Sequence, residues 1–124
     1  MDERFLRNKM LWGREPQQRL SRSHVILFGL GGVGSYTAEC LARSGVGELT
    51  LVDSDTVSVT NINRQLEALT STVGQPKAEA VAARIREINP EAILHPMQAT
   101  YDAAHRDLFF PEGCRYDYIV DAID

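Results

Sequence analysis

Residues 25–55 read VILFGLGGVGSYTAECLARSGVGELTLVDSD and decide the fold of this chain. The apolar run at residues 25–28 is bounded by glycine, which is typical of a buried parallel strand. Residues 35–44 predict a helix that Gly45 ends, and residues 48–52 predict a second strand that leads into Asp53. The stretch therefore predicts a strand–helix–strand unit with parallel strands.

The loop between the first strand and the helix, GLGGVG, fits the pattern G-x-G-x-x-G. Glycines let a backbone turn tightly and approach a phosphate, and the N–H groups and dipole of a helix N-terminus attract the negative charge. An acidic side chain at the end of the second strand can hold ribose hydroxyls. The alternative is that the glycines serve only a tight turn. The pattern predicts a nucleotide site formed by Gly29, Gly31, Gly32, Gly34 and Asp53.

The rest of the chain continues the alternation of strands and helices. A helix is expected from Gln75-Pro76-Lys77 to residue 88, with proline at its first helical position. Residues 92–97 and 118–121 predict two further strands, and Pro96 favours a sheet edge for the former. Asp102 is expected to cap a short helix that runs to residue 110. Two helix faces are expected to be buried: Val33, Thr37, Cys40, Leu41 and Ser44 on the first helix, and Ala78, Val81, Ile85 and Ile88 on the second.

These elements predict an α/β fold, an open and mostly parallel sheet of the doubly wound, Rossmann-like type. Helices should cover both faces, and the strand order should be 3-2-1-4. An N-terminal helical arm, broken by Gly13 and Pro16, should precede the sheet. The predicted domains are a basic arm over residues 1–22 and a nucleotide-binding domain over residues 23–124.

Composition limits the class of protein. A chain of 124 residues with 44% hydrophobic residues suits one modest domain. It has no run long enough to span a membrane and no secretory segment, so a cytoplasmic protein is expected. The net charge of −4 argues against nucleic-acid binding by bulk electrostatics. Residues 1–22 nevertheless carry six basic against three acidic side chains, which suit either a polyanion contact or a solvated helix face.

The cysteines and histidines form no recognisable motif. Two cysteines without a C-x-x-C spacing indicate neither a disulfide framework nor a zinc site, and Cys40 is expected in the core. The histidines are interpreted as surface or structural residues, and neither His95 nor His105 is expected to bind a metal.

Charged residues favour phosphate chemistry over hydride transfer. The loop TNINRQ at residues 60–65 follows the second strand, and Lys77 begins the next helix. A nicotinamide needs a flat and mostly uncharged slot, whereas Arg64 and Lys77 could neutralise a departing pyrophosphate. Asp124, after the fourth strand, could place a magnesium ion on the same phosphates. A surface charge pair, an NAD-dependent oxidoreductase and a non-catalytic nucleotide-binding module remain as alternatives.

The chain resembles the ThiF/MoeB-type adenylating enzymes, which are related to ubiquitin-activating enzymes. The matching segments are GLGGVGS, GVGELTLVDSDTVSVTNINRQ, VGQPKAEA, INPE and DYIVDAID, in family order from residue 25 to residue 124. The resemblance implies ATP-dependent adenylation of a carboxylate with Mg²⁺. It also implies a homodimer, because the segment RFLR at residues 4–7 looks like a family motif whose second arginine enters the partner's ATP site. The roles it implies are phosphate contacts for Gly32, Asn61 and Arg64, ribose binding for Asp53, pyrophosphate departure for Lys77, magnesium binding for Asp124 and the partner's site for Arg7.

Within this family, TNxNRQ followed by Ala68 and Leu69 looks most like the tRNA threonylcarbamoyladenosine dehydratases. That resemblance implies a tRNA substrate, whose threonyl carboxylate is activated and then cyclised with net loss of water. The alternative is activation of a sulfur-carrier protein that ends in Gly-Gly. Because family members continue well past the position of Asp124, we expect residues 23–124 to be a domain truncated at its C-terminal end. The isolated chain should not catalyse the full reaction.

Overall fold

The computed structural model describes residues 3–124, so the first two residues of the predicted arm at 1–22 lie outside the described residues. Helices and strands alternate after two N-terminal helices. The helices are α1 (Leu6–Trp12), α2 (Arg14–Ser21), α3 (Gly34–Ser44), α4 (Lys77–Ile88) and α5 (Arg106–Phe109). The strands are β1 (His24–Phe28), β2 (Glu48–Val52), β3 (Ile93–Met97) and β4 (Tyr118–Asp121). Single 3-10 turns lie at Glu3–Phe5, Val59–Asn61 and Ala103–His105.

The four strands form one parallel sheet in the order β3-β2-β1-β4, which confirms the predicted order. Pro96 lies in the edge strand β3, where its missing N–H removes no hydrogen bond from the inner strands of the sheet. The chain moves outward from β1 to β3 and then returns to place β4 on the other side of β1. This reversal creates a crevice at the carboxyl ends of β1 and β4, which is where open α/β sheets bind ligands.

The reversal also explains how the two faces are covered. Right-handed crossovers in one direction put α3 and α4 on the same face, over a core that includes Leu27 and Leu49. The crossover in the opposite direction puts α5 on the second face, where Phe109 is fully buried against Ile26 and Phe28. Both faces therefore carry helices, and over residues 3–124 the helix on the second face is the short α5.

The predicted buried face of α3 is wrong. Val33 is 71% exposed and Cys40 is exposed as well, whereas α3 packs against the sheet through small residues. A Cβ on Gly34 would overlap the carbonyl oxygen of Gly29, so the helix start lies too close to the glycine loop for larger side chains. Leu41 stays at the margin of the core. The residues of α3 that are buried are Gly34, Ser35, Ala38 and Ala42.

The predictions for α4 and for the short third helix hold with small shifts. Ala78, Val81 and Ile85 are buried and Ile88 packs at the core margin, as expected. Pro76, which was predicted to be the first helical residue, is the N-cap of α4, and the helix begins one position later at Lys77. Asp102 caps the turn before α5 by accepting a hydrogen bond from the His105 N–H at 2.9 Å.

The N-terminal arm is helical and packs on the domain. Gly13, with φ of 94°, separates α1 from α2 as predicted. Pro16 does not break the arm, because it lies in the first turn of α2, where its missing N–H has no helical partner to lose. Gln17 accepts from Trp12 Nε1 at 2.8 Å and donates to the Ser44 carbonyl at 2.9 Å, which joins both helices to the end of α3. Over residues 3–124, the helices are too short or too polar to cross a bilayer.

Candidate functional site

A cavity of about 700 Å³ lies at the carboxyl ends of the strands, beside the crevice between β1 and β4. The glycine loop, the loops after β2 and β3, the start of α4 and the chain after β4 form its walls. Most predicted site residues line this cavity. They are Gly29, Gly31, Gly32, Asp53, Asn61, Arg64, Lys77 and Asp124. The cavity therefore brings together predicted site residues that lie up to 95 positions apart in the sequence, from Gly29 to Asp124.

Two of the four loop glycines are required by the fold itself. Gly29 has φ of 94°, and a Cβ there would lie 2.6 Å from the Ala122 carbonyl oxygen. Gly34 lies beneath the loop rather than at its surface, and its Cβ would overlap the Gly29 carbonyl oxygen. These two glycines let β1, α3 and the chain after β4 approach one another closely. Gly34 is accordingly not among the described residues that line the cavity.

The other two glycines are not explained by the fold. Gly31 and Gly32 are not among the described glycines that have a positive φ. A Cβ on Gly31 would lie 3.6 Å from Gln65 Nε2, and one on Gly32 would lie 3.7 Å from Arg64 Cδ, which are ordinary contacts. Both positions face the cavity. A bound ligand that approaches the backbone would explain why side chains are missing there.

The N-terminus of α3 adds donors to the same loop. Its N-cap is Val33, and within residues 3–124 no side chain accepts a hydrogen bond at this cap. The first N–H groups of a helix have no partner inside the helix, and the helix dipole makes this end positive. The 11-residue helix α3 thus presents an N-terminus without a side-chain cap beside Gly31 and Gly32, as anion-binding loops do, although its Ser35 N–H already donates to the Gly31 carbonyl at 3.0 Å.

Asp53 has a structural task that the sequence did not reveal. Its Oδ2 accepts a hydrogen bond from the Leu30 N–H at 2.8 Å, and its Oδ1 accepts from the Asp55 N–H at 2.8 Å. The carboxylate therefore fastens the glycine loop to the loop after β2. Each carboxylate oxygen has a second lone pair, so the same group could also accept from ribose hydroxyls in the cavity.

The loop after β2 brings Asn61 and Arg64 to the glycine loop. Asn61 Oδ1 accepts from the Ser58 N–H at 2.8 Å in a capping box, which leaves its NH₂ group to donate elsewhere. Arg64 Nη1 donates to the Thr60 carbonyl at 3.1 Å and to Asn63 Oδ1 at 2.9 Å. These bonds hold the guanidinium group on the cavity wall that faces Gly32.

Lys77 is not a surface charge, contrary to one alternative from the sequence. It is only 6% exposed, and its Nζ lies 3.9 Å from Asp55 Oδ2, which is a long distance for an ion pair. It is also the first residue of α4, where the helix dipole is unfavourable for a cation. A buried ammonium group in such a position is costly for the fold, and a polyanionic ligand would offset that cost.

Two buried polar residues beside the site were missed. Gln65 lines the cavity, and within residues 3–124 its Oε1 has no hydrogen-bond partner. Glu67 is 2% exposed, and neither of its carboxylate oxygens has a partner among the same residues. Burial raises the pKa of Glu67 to about 7, its own backbone N–H and the nearby Lys77 oppose this shift, and Asp53 adds to it. The sequence does not indicate that Glu67 is buried, because it lies in a loop whose apolar residues follow no helical or strand period.

The aromatic wall of the cavity was also missed. Phe28 and Tyr101 line it with ring centroids 5.5 Å apart in an edge-on contact. Tyr101 follows β3, and the sequence places no motif there. On the wall after β4, Asp121 Oδ1 accepts from the Ile123 N–H at 3.0 Å and shapes the turn that carries Asp124.

Arg7 lies apart from these residues. It is exposed on α1 and is not among the described residues that line the cavity. A single chain therefore does not bring Arg7 to its own site, and its expected role in a partner's site stays a prediction.

Comparisons with known proteins show the family of this chain. The sequence model of the ThiF family matches residues 5–124. The tRNA threonylcarbamoyladenosine dehydratase of Bacillus subtilis (strain 168) is 48% identical over 100% of this chain and 48% of that protein. The molybdopterin-synthase adenylyltransferase of Escherichia coli (strain K12) is 40% identical over 87% of this chain and 42% of that protein. The chain thus spans about half the length of the curated relatives it matches.

A solved structure supports the fold as well. The crystal structure of E. coli tRNA N6-threonylcarbamoyladenosine dehydratase, TcdA, in complex with ATP superposes with a TM-score of 0.93 at 43% identity. The superposition covers 98% of this chain and 49% of that chain. This similarity confirms the Rossmann-like α/β fold.

Proposed function

We propose that this chain, which belongs to the ThiF family, is the ATP-binding part of an enzyme that adenylates a carboxylate. One observation carries the proposal. The glycine loop, the uncapped start of α3, Arg64 and the buried Lys77 converge on one cavity, and all of them suit a chain of phosphates. An NAD-dependent oxidoreductase would have no use for a buried ammonium group at this wall.

In the proposed reaction, a carboxylate oxygen of the substrate attacks the α-phosphorus of ATP. A new P–O bond forms while the bond from the α-phosphorus to the bridging oxygen breaks, and pyrophosphate leaves with that oxygen. A second nucleophilic atom, which belongs to the substrate itself in a cyclisation, then bonds to the carbonyl carbon of the acyl adenylate and loses its proton, while the acyl C–O bond breaks and AMP leaves. Negative charge grows on the departing pyrophosphate, so cations fixed before the reaction lower the barrier.

The described residues divide these tasks by position. Gly31 and Gly32 would admit the phosphates to the backbone, and Asp53 would hold the ribose. Arg64 and Lys77 would neutralise the charge on the leaving group.

A magnesium ion fits the remaining wall. Mg²⁺ prefers one or two carboxylates together with phosphate oxygens, and Asp124 brings one carboxylate to the cavity. The turn that Asp121 stabilises places Asp124 there. When bound, the ion would supply further neutralisation of the phosphates, and Asp124 would hold it.

For the substrate, we propose the threonylcarbamoyl carboxylate of a modified adenosine in tRNA. The supporting observations are the segment TNINRQ, which is followed by Ala68 and Leu69, and the 48% identity to a dehydratase named for this nucleoside. A cytoplasmic location fits this substrate. The second candidate is the C-terminus of a small sulfur-carrier protein, which the similarity to molybdopterin-synthase adenylyltransferase favours. Release of pyrophosphate by the longer protein with modified tRNA, and not with a carrier ending in Gly-Gly, would decide between them.

We further propose that the active form is a homodimer. The helix α1 exposes Leu6, Met10 and Leu11 at 45%, 72% and 81%, beside Arg7. Burial of these side chains in a second copy would place Arg7 at an interface, as its expected role in the partner's ATP site requires. Sedimentation analysis of the longer protein and of its Leu11→Asp variant tests this. The variant should be monomeric, and a monomeric parent protein would overturn the proposal.

Calorimetric titration with ATP and Mg²⁺, and separately with NAD, tests the nucleotide. The chain should bind ATP and not NAD. Arg64→Ala should weaken ATP binding at least about ten-fold, because it removes a charge-assisted contact of about 1.5–3 kcal/mol. Arg86→Ala is the matched control, since it removes an arginine of α4 that does not line the cavity.

A glycine variant separates nucleotide binding from folding. Gly32→Ala should keep the melting temperature, because its Cβ has room beside Arg64, and should abolish ATP binding. A Gly32→Ala chain that binds ATP as tightly as the parent would contradict the proposed phosphate site. So would binding of NAD in preference to ATP.

A further inference from the structure

A second cluster of polar side chains lies at the amino end of the sheet, opposite the nucleotide cavity. His24, Glu48 and His95 belong to β1, β2 and β3. In the parallel register His24 is the partner of Glu48, and His95 is the partner of Thr50, two residues further along β2. Residues two apart on a strand face the same side, so neighbouring strands present all three side chains on one face. A five-residue strand separates this cluster from the glycine loop by about 16 Å.

The three side chains converge on a small volume. Glu48 Oε2 lies 2.7 Å from His95 Nε2 and 3.6 Å from His24 Nδ1. One nitrogen from each histidine and one oxygen from the glutamate all lie within 4.8 Å of one another. In a tetrahedral zinc site with bonds of about 2.1 Å, the ligand atoms are about 3.4 Å apart. Side-chain shifts of about an ångström would therefore bring the three ligand atoms to the spacing of a tetrahedral zinc site.

Neighbouring groups orient His24 as a metal ligand requires. Its Nε2 lies 2.8 Å from the hydroxyl of Thr50, a residue that is 3% exposed, and the Tyr116 ring packs edge-on against it at 4.7 Å. If Nε2 carries the proton and donates to Thr50, the lone pair of Nδ1 is free on the side of Glu48. Metal-binding histidines typically have their second nitrogen fixed in this way.

We propose that His24, Glu48 and His95 form a binding site for a divalent transition metal of the zinc class, distinct from the magnesium expected on the phosphates. Two imidazoles and one carboxylate are a ligand set that Zn²⁺ takes, whereas Mg²⁺ prefers oxygen ligands alone. Three protein ligands leave a fourth position open, and His95 and Glu48 are accessible enough to admit the ion.

The expected role of this site is structural. The ion would tie the edge strand β3 to β2 and β1 at the end of the sheet that lacks the glycine loop. Arg19, Arg22 and Arg115 line the adjacent cleft. Their charge disfavours a bare cation, and it favours an anion or hydroxide in the open fourth position.

Titration with Zn²⁺ and Co²⁺ tests the proposal, in a chain whose exposed Cys40 and Cys114 are replaced by serine to remove thiol ligands. One equivalent of Co²⁺ should bind with the visible absorption of a four-coordinate ion, and Zn²⁺ should displace it and raise the melting temperature. His95→Asn and Glu48→Gln should each weaken binding at least about ten-fold. Mg²⁺ should not compete.

His105→Asn is the matched control. His105 also pairs with a carboxylate, that of Asp102 at 2.7 Å, but among the described residues no third ligand joins them. This variant should bind like the parent. The proposal is overturned if the parent binds no stoichiometric Co²⁺ or Zn²⁺. It is also overturned if His95→Asn and Glu48→Gln, shown by circular dichroism to be folded, bind as tightly as His105→Asn.

Discussion

The carboxyl group of Glu67 should make the stability of this chain fall as the pH rises from about 4.5 to about 7. Glu67 is 2% exposed, and within residues 3–124 its carboxylate oxygens have no hydrogen-bond partner. Burial raises its pKa from 4.5 to about 7. Between these two values the folded chain holds a proton that the unfolded chain has released. The free energy of unfolding therefore decreases with pH across this window.

The magnitude follows from the size of the shift. A pKa displaced from 4.5 to about 7 corresponds to about 3 kcal/mol at about 1.4 kcal/mol per pH unit. Below the unfolded pKa the carboxyl is neutral in both states and the penalty is absent. Above the folded pKa the penalty is complete. Rotation of the side chain toward Lys77 or entry of water would reduce it, so about 3 kcal/mol is an upper limit.

The variant Glu67→Gln keeps the shape of the neutral acid and cannot ionise. Relative to the parent, it should gain stability by up to about 3 kcal/mol between about pH 5 and about pH 8. Urea denaturation at both pH values measures the difference. Glu87→Gln, which removes an exposed carboxyl of α4, gives the reference for a change of net charge alone. A difference between Glu67→Gln and the parent that stays constant or shrinks with rising pH would refute the reasoning.

Three further predictions concern the fold. Phe109→Ala should lower the free energy of unfolding by about 3–5 kcal/mol in urea denaturation, because Phe109 is fully buried against Ile26 and Phe28 on the sheet face that carries α5. Gly45→Ala should lower the melting temperature and cost about 1–3 kcal/mol, because Gly45 has φ of 94° and a Cβ would overlap Gln17 Nε2. The thiols of Cys40 and Cys114 should both react rapidly with Ellman's reagent in the native chain, and reaction only upon unfolding would show that Cys40 is buried after all.

Much of the fold was predictable because the decisive signals are local. Apolar runs bounded by glycine mark β1 and β2, and the stripe of Ala78, Val81 and Ile85 marks the buried face of α4. The observed strand order is the one expected for the doubly wound type, which the alternation of strands and helices predicts. The buried face of α3 was not predictable in this way. Its contact with the sheet depends on a close approach at Gly34, and that approach selects small side chains over the more hydrophobic Val33.

The residues of the candidate site were predictable where a sequence motif places them at the end of a strand. They were not predictable where their position depends on loop burial or on the register between strands. Arg64 and Lys77 lie in recognisable segments, so the cavity brings them together as expected. The burial of Glu67 depends on how a loop without periodicity packs against α4. His24 and His95, 71 positions apart, come together only through the register of β1, β2 and β3. Single residues of this kind carry no local signal of the cluster they form.

The glycines of the pattern G-x-G-x-x-G have two different functions, close backbone packing and access for a ligand, and the structure assigns each function to a different pair of glycines. Gly29 and Gly34 are needed because side chains there would collide with backbone, whether or not a nucleotide binds. Gly31 and Gly32 have room for a Cβ, so only a ligand gives a reason for glycine at these positions. A chain that kept the first pair and lost the second should fold in the same way without binding phosphate. The pattern alone therefore cannot distinguish a tight turn from a nucleotide site, whereas alanine at each of the four positions can.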